Sequence, residues 1–178
     1  QNITSDAIAS QAAGGSWASS NNLNTARFGI AGTGIQTAAL SMGGSPPTSD
    51  NVESYDGSSW TETTEISTAR RNGMAAGTQT AALYYGGAHS PSPTTLHDLT
   101  ETWNGSSWTE VNELNAAKGN AQCCSGGTST AAITAGGEPG SNAVESWNGS
   151  SWTETTEINT GRDNHSGGGT QAAQIIIG

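Results

Sequence analysis

Residues 57–87 read GSSWTETTEISTARRNGMAAGTQTAALYYGG, and this stretch holds one copy of a pattern that occurs four times in the chain. The pattern is Gly-x-Ser-Trp, a polar stretch, an aliphatic residue, a basic residue, a strand of small residues and Gly-Gly, of which the fourth copy has only the first glycine, Gly178. The tryptophans are Trp17, Trp60, Trp108 and Trp152, the aliphatic residues Leu23, Ile66, Leu114 and Ile158, and the basic residues Arg27, Arg70, Lys118 and Arg162. Because all four copies keep the same spacing, the chain is an internal repeat.

A second part of the repeat lies between each Gly-Gly and the next tryptophan. A loop of variable length leads to a strand that ends in Tyr55, Trp103 or Trp147, and Asp-Gly-Ser-Ser or Asn-Gly-Ser-Ser follows. Asp-Gly and Asn-Gly between two strand-like runs predict tight β-hairpins. Each module therefore predicts four short antiparallel strands, which in the second module span about residues 73–77, 80–85, 96–103 and 108–111.

The two ends of the sequence complement each other. Modules occupy residues 14–56, 57–104 and 105–148, whereas the fourth, 149–178, lacks its aromatic strand. Residues 1–13 supply it, because residues 6–10 align with residues 142–146 of the third module. The sequence thus predicts one all-β domain over residues 1–178, a four-bladed β-propeller whose ring is closed by an N-terminal strand that completes the last blade. A piece of a longer tandem array is the alternative.

The order Gly-Gly, aromatic residue, tryptophan, aliphatic residue and arginine resembles that of kelch repeats over nearly the whole chain. The phrases around Arg27 and Arg70, residues 77–83 (GTQTAAL) and Asn-Gly-Ser-Ser-Trp are similar to kelch-like repeats in virion proteins of marine tailed bacteriophages, such as tail fibres. That resemblance implies a propeller displayed outside a cell on a virus particle. The chain departs from the family by having four modules and by carrying Gln11 at an aromatic position.

Charge and composition narrow the classes of function. The formal net charge of −10 disfavours nucleic acid and an anionic membrane surface as partners. No stretch reaches the roughly 20 apolar residues of a membrane-spanning helix, so membrane insertion is not expected. The adjacent Cys123 and Cys124 predict free thiols rather than a disulfide or a metal site. The histidines occupy unrelated repeat positions, so we expect no enzyme, no catalytic residue, no metal and no cofactor.

The four basic residues are the first candidate binding site. Each precedes the innermost strand of its module, so a closed propeller places them around one mouth of its central channel. Such a ring predicts binding of a carboxylated or sulfated glycan or of an acidic segment. The alternative is an architectural role in which each cation pairs with acids that follow its tryptophan: Glu62 or Glu65, Glu110 or Glu113, and Glu154 or Glu157.

The second candidate site belongs to the second module alone. Tyr84, Tyr85 and His89 flank or open a long loop, residues 88–95, and are candidate ligand contacts on the rim. Aromatic rings also pack between blades, which is the alternative for the tyrosines.

For the whole chain we expect a non-enzymatic binding module that recognises a host-surface glycan or receptor from a virion or another extracellular surface. The alternatives are a structural or decoration module that contacts neighbouring virion proteins, and a kelch-type protein-interaction domain.

Overall fold

The computed structural model describes residues 20–89, 95–119, 126–138 and 140–177. The predicted N-terminal strand, the tryptophan at position 17 and the two cysteines lie outside these residues. Within them the chain is all-β: every regular element is a strand, and no helix occurs.

Three four-stranded antiparallel sheets follow one another along the chain. Sheet one contains β1 (Ala31–Ile35), β2 (Ala38–Met42), β3 (Val52–Tyr55) and β4 (Trp60–Thr63). Sheet two contains β5 (Met74–Thr78), β6 (Ala81–Tyr85), β9 (Thr100–Trp103) and β10 (Trp108–Val111), and it is interrupted by a small hairpin of β7 (Ala88–His89) and β8 (Thr95–Leu96). Sheet three contains β11 (Gly126–Thr128), β12 (Ala131–Ala135), β13 (Val144–Trp147) and β14 (Trp152–Glu154). Sheet four is described as two strands, β15 (Ser166–Thr170) and β16 (Ala173–Ile177).

The strands predicted for the second module agree with this order, with one difference. The third strand begins at Thr100, whereas Leu96 belongs to the separate β8. The insertion predicted as a loop over residues 88–95 is therefore anchored at its base by two paired residues on each side, Ala88 with Leu96 and His89 with Thr95. We call β7–β8 the extra hairpin, because no other described module contains one.

The third and fourth strands of each complete sheet share one register, which is fixed by the turn between them. The tryptophan that opens the fourth strand faces the aromatic residue that ends the third, and the ring centroids lie 4.9 to 5.4 Å apart. In the turn, an Asp56 oxygen accepts hydrogen bonds from the backbone N–H groups of Ser58 and Ser59, each at 2.8 Å. These bonds lower the pKa of Asp56 to about 2. Asn104 and Asn148 accept the same pair of bonds in their turns.

In the described part of the chain the core consists of two apolar layers, each between neighbouring sheets. Sheet one contributes Leu40 and Met42 to the first layer, where sheet two supplies Tyr84 and Trp103. The opposite face of sheet two packs against sheet three, and this layer contains Met74, Leu83, Tyr85, Trp147 and Trp152. Alternate residues of one strand point to opposite faces, so β6 serves both layers at once.

Neighbouring sheets meet through their first strands. β1 lies beside β5, β5 beside β11, and β11 beside β15. At each boundary the backbone N–H of the second glycine of Gly-Gly donates to the carbonyl of the next basic residue: Gly44 to Arg70 at 3.0 Å, Gly87 to Lys118 at 2.7 Å, and Gly137 to Arg162 at 3.0 Å. The first glycine of each pair also lies close to the carbonyl of that basic residue. A Cβ on Gly43 (φ +64°) would come within 2.2 Å of the Arg70 carbonyl oxygen, so this contact requires glycine.

Candidate functional site

Three of the four predicted basic residues form one repeated arrangement. Each lies in the loop before the first strand of its sheet, and its side chain reaches a glutamate in the third strand of the same sheet. The pairs are Arg27 with Glu53, Arg70 with Glu101 and Lys118 with Glu145. All six side chains are at most 2% exposed. We call each such unit a clasp.

The second carboxylate oxygen of each glutamate binds the loop that carries the cation. It accepts a hydrogen bond from the backbone N–H of Asn24 at 2.7 Å, of Ser67 at 2.9 Å or of Asn115 at 2.7 Å. These acceptors belong to Glu53, Glu101 and Glu145 in that order. A clasp thus holds the loop that precedes its sheet by both its side chain and its backbone, and the buried charges are compensated.

The clasp of sheet one is centred on the Arg27 guanidinium. Its Nη2 donates to Glu53 Oε1 at 2.7 Å, while Nη1 donates to the carbonyls of Gly43 at 2.7 Å and Asn51 at 2.8 Å. The arginine therefore also binds the Gly-Gly turn that leads from β2 toward β3. A guanidinium suits this position because it carries several donors in one plane.

The clasp of sheet two is centred on Arg70, which is completely buried. Arg70 Nη1 donates to Glu101 Oε1 at 2.6 Å and to the Thr68 carbonyl at 3.1 Å. Its Cζ lies 4.3 Å from the centroid of the Tyr84 ring, a cation–π contact away from solvent. Burial raises the pKa of Tyr84 to about 12, while the Arg70 charge acts in the opposite direction.

The clasp of sheet three uses a lysine and is looser. Lys118 Nζ lies 3.4 Å from Glu145 Oε1 and 3.5 Å from the Gly136 carbonyl oxygen. The fourth cation, Arg162, is half-buried, and its Nε donates to the Thr160 carbonyl at 3.4 Å. In the alignment of residues 6–10 with residues 142–146, the position of the clasp glutamates is occupied by Ala9, which carries no carboxylate and lies outside the described residues.

For Arg70 and Lys118 the acids predicted as partners were the wrong ones, because these cations pair with Glu101 and Glu145. Glu62, Glu65, Glu110, Glu113, Glu154 and Glu157 are all exposed. These glutamates lie on the fourth strand of each sheet or on the connection that follows it to the next sheet. The cations lie at the opposite side of each sheet, directly before its first strand. Some of these glutamates bind neighbouring loops instead, since Glu110 accepts a hydrogen bond from Ser67 Oγ at 2.8 Å.

Sequence reasoning missed the clasp glutamates, although a signal for them was present. Glu53, Glu101 and Glu145 occupy the same repeat position, two residues before the aromatic residue that ends the third strand. A charged residue that recurs inside a short strand between buried neighbours needs a partner of opposite charge. The repeat offers such a partner at one position, that of the basic residues.

The clasps decide what the predicted ring of cations can do chemically. Three of the five cations of the chain are compensated by glutamate and shielded from solvent. An anionic ligand could reach them only by displacing a buried carboxylate. Binding of an anion at Arg27, Arg70, Lys118 and Arg162 stays a prediction, and the geometry favours the architectural role for the three clasp cations.

The two tyrosines do not lie on the rim. Tyr84 and Tyr85 are both completely buried, one on each face of β6. This location corrects their placement as rim contacts, and it has a local cause: Gly73 leaves room for the Tyr84 ring, since a Cβ there would lie 2.4 Å from Tyr84 Cε2. Inter-sheet packing is thus the role of both rings.

The extra hairpin, which connects β6 to β9, carries His89 and is followed closely by His97. His89 is exposed, and its Nδ1 lies 3.3 Å from the Ala69 carbonyl oxygen. His97 follows β8, is half-buried, and has no hydrogen-bond partner for Nε2 among the described residues. Burial lowers the pKa of His97, and the charges of Arg70 and His89 lower it further. Of the three predicted rim contacts, only His89 lies where a ligand can reach it.

The described residues contain no group of three His, Cys, Asp or Glu side chains that could hold a metal ion. Within the same residues no helix has the length and apolar character needed to cross a membrane. No protein-family model matches this sequence, and no curated protein is similar to it.

Proposed function

We propose that this chain is a four-bladed kelch-type β-propeller that acts as a non-enzymatic binding module, displayed on a virion or another extracellular surface to recognise a host-surface glycan or receptor. The repeated sheets, their contacts through first strands and the three clasps support the propeller. In it, sheets one to four are the blades, and residues 1–13 complete the fourth. A ring of this kind has no open sheet edge.

The proposed binding function rests on a feature of the second module that the other described modules lack. The clasps, the hairpin turns and the aromatic pairs recur from sheet to sheet, which is typical of architecture. The extra hairpin occurs in sheet two alone among the described modules and presents the exposed His89. Recognition residues are concentrated on loops that a rigid scaffold holds in place.

The charge distribution indicates the class of glycan. Three cations are neutralised inside the clasps, whereas the six glutamates after the tryptophans remain exposed. The surface is therefore strongly acidic and repels carboxylated or sulfated sugars at low salt. We accordingly propose an uncharged polysaccharide as the ligand, bound beside the extra hairpin through His89.

Binding of the purified protein to immobilised polysaccharides, neutral and acidic, tests this proposal. We expect saturable binding to a neutral polysaccharide that varies little with salt and that His89→Ala weakens at least fivefold. Thr109→Ala, on the exposed outer strand of the same sheet, is the matched control and leaves binding unchanged. Absence of binding to every polysaccharide, or equal losses in both variants, overturns the proposal.

A structural role among virion proteins is the second candidate, and one observation favours it. The side chain of Phe28 is 57% exposed, and its backbone pairs with that of Ser45. Both residues lie at the end of sheet one that is opposite the turn between β1 and β2. A large aromatic side chain exposed in this way suits a protein contact. If no polysaccharide binds while Phe28→Ser abolishes association with virion proteins, this candidate replaces the first.

A further inference from the structure

The dipeptide Asn-Gly occurs three times in the sequence, beginning at Asn72, Asn104 and Asn148. In such a pair the backbone nitrogen of the glycine can attack the side-chain amide carbon of the asparagine, because glycine has no side chain that hinders the approach. The structure places the three pairs in two different environments. Two of them lie in hairpin turns, and the third lies at the boundary between sheets one and two.

The two pairs in the hairpin turns are open to solvent. Asn104, Gly105, Asn148 and Gly149 are all exposed. A Cβ built on either glycine would stay at least 3.3 Å from the described atoms outside its two chain neighbours. Solvent therefore reaches both the glycine nitrogen, which must lose its proton in the reaction, and the amide that this nitrogen attacks.

The turn itself polarises the side-chain carbonyl of each of these asparagines. Asn104 Oδ1 accepts hydrogen bonds from the backbone N–H of Ser106 at 2.9 Å and of Ser107 at 3.0 Å, and from the Ser106 hydroxyl at 2.9 Å. Asn148 Oδ1 accepts the three matching bonds, each at 2.9 Å. Attack on Cγ moves negative charge onto this oxygen, and donors that already point at it lower the barrier to the attack.

Asn72 lies in a packed environment instead. It is half-buried, and its backbone N–H donates to the Gly29 carbonyl of the neighbouring sheet at 2.7 Å. Its Oδ1 fills the space beside Gly29, since a Cβ there would come within 2.3 Å of that oxygen. Gly73 is buried against the Tyr84 ring. Attack of the Gly73 nitrogen on the Asn72 amide therefore requires the boundary between sheets one and two to open.

Sheet one shows that the product of the reaction fits the turn. At the position of the two turn asparagines it carries Asp56, which accepts the backbone N–H bonds of Ser58 and Ser59 at 2.8 Å each. These bonds hold the pKa of Asp56 near 2, so the group is a carboxylate at neutral pH. A charged acceptor forms stronger hydrogen bonds than a neutral amide. The hairpin turn of this repeat thus accepts aspartate as well as asparagine.

We infer that Asn104 and Asn148 are sites of spontaneous deamidation, which converts the hairpin turns of sheets two and three to the aspartate form that sheet one carries. The glycine nitrogen bonds to the asparagine Cγ, the bond from Cγ to Nδ2 breaks, and ammonia leaves with the proton of the glycine nitrogen. Water then adds to Cγ of the cyclic imide, and the bond from Cγ to the glycine nitrogen breaks. This step restores the backbone N–H and leaves the carboxyl group of aspartate.

Two consequences of the reaction can be measured. Each conversion makes the formal net charge of −10 one unit more negative. Addition of water at the backbone carbonyl of the imide gives isoaspartate instead, whose backbone is longer by one methylene group. A longer backbone does not fit a turn that fixes the pairing of Trp103 with Trp108, so folding favours the aspartate product. The inference goes beyond the proposed binding function and does not depend on its ligand.

Peptide mapping by mass spectrometry tests the inference on the full chain, incubated at mildly alkaline pH with and without urea. In the folded protein we expect Asn104 and Asn148 to convert at least tenfold faster than Asn72. In urea we expect similar rates at all three sites, since glycine follows each of them, and a larger share of isoaspartate. Equal rates at the three sites in the folded protein overturn the inference, and so does conversion of Asn104 and Asn148 in urea alone.

A pair of substitutions tests whether the product fits the turn. Asn104→Asp mimics the product and should keep the urea midpoint of the wild-type protein or raise it. Asn104→Ala is the matched control, and we expect a lower midpoint because the backbone N–H groups of Ser106 and Ser107 lose their acceptor. A midpoint for Asn104→Asp as low as that for Asn104→Ala overturns the conversion to a native aspartate turn. Neither experiment involves a polysaccharide, so a failed glycan assay leaves this inference unaffected.

Discussion

The clasps of sheets two and three perform the same task with different chemistry. Arg70 donates to its glutamate at 2.6 Å, whereas Lys118 lies 3.4 Å from its own. The residue two positions before Gly-Gly differs as well, since Tyr84 stacks on the Arg70 guanidinium and Thr134 occupies the matching place in sheet three. The repeat position of Arg70 and Lys118 thus keeps its positive charge, whereas the side chains around it differ between the two sheets.

The difference shows what the repeat requires and what each module adds. Every clasp supplies a cation, a carboxylate and a backbone N–H that joins the crossing loop to the sheet. The aromatic ring over the guanidinium is an addition of sheet two, whereas the longer distance of 3.4 Å between cation and carboxylate is particular to sheet three. A buried ion pair is not by itself a large source of stability, because desolvation opposes the attraction of the charges. These differences therefore decide how much each clasp contributes.

Removal of the carboxylate charge has the largest expected effect. Glu101→Gln leaves Arg70 charged and completely buried, so we expect the free energy of unfolding to fall by about 3–5 kcal/mol. Glu145→Gln is the matched variant, and we expect a smaller loss of about 1–3 kcal/mol because the Lys118 bond is longer. Urea unfolding followed by tryptophan fluorescence measures both. Equal losses would mean that the tighter geometry of sheet two carries no extra stability.

Much of the sheet architecture was predictable because its signals are local. Asp-Gly and Asn-Gly placed the hairpin turns, and the spacing from tryptophan to Gly-Gly located the first two strands of each module. Trp108–Val111 was predicted with its observed bounds. Such signals depend on neighbouring residues, and neighbours in sequence remain neighbours in a hairpin.

The partners in the clasps were not predictable by proximity in sequence. Glu62 is eight residues from Arg70 and Glu101 is thirty-one, yet the sheet brings the distant glutamate to the arginine because β9 pairs with β6. The burial of Tyr84 depends in a similar way on Gly73, which directly precedes β5, the strand that pairs with the strand of Tyr84. Contacts across a sheet follow register rather than separation along the chain.

Exchange of arginine and lysine between the two clasps tests the same difference, with smaller expected changes in the free energy of unfolding. Arg70→Lys keeps the charge but loses the stacked guanidinium and at least one hydrogen bond, so we expect a loss of about 2–3 kcal/mol. Lys118→Arg lacks a ring to stack on, and we expect a change below about 1 kcal/mol. The same urea titrations measure both variants. A loss for Lys118→Arg as large as that for Arg70→Lys would show that the difference lies in packing volume rather than in the aromatic ring.

The smallest expected effect comes from the tyrosine hydroxyl and depends on pH. Tyr84→Phe removes a weak 3.4 Å hydrogen bond to the Arg70 carbonyl, so at pH 7 we expect a loss below about 1 kcal/mol. The pKa of Tyr84 is raised from 10.0 to about 12 in the folded protein, so its neutral form contributes stability below pH 10 that is lost as the pH rises toward 12.

Phenylalanine has no ionisable hydroxyl, so Tyr84→Phe tests directly whether the ionisation of Tyr84 makes the stability depend on pH. Wild-type protein should lose about 1 kcal/mol more than the variant between pH 9 and pH 11, measured by urea unfolding at each pH. Tyr55→Phe is the control, because its ring belongs to the aromatic pair of sheet one and not to a clasp. Parallel pH profiles for wild type and Tyr84→Phe would show that the ring over Arg70 is open to solvent, and the contrast between the two clasps would then rest on bond length alone.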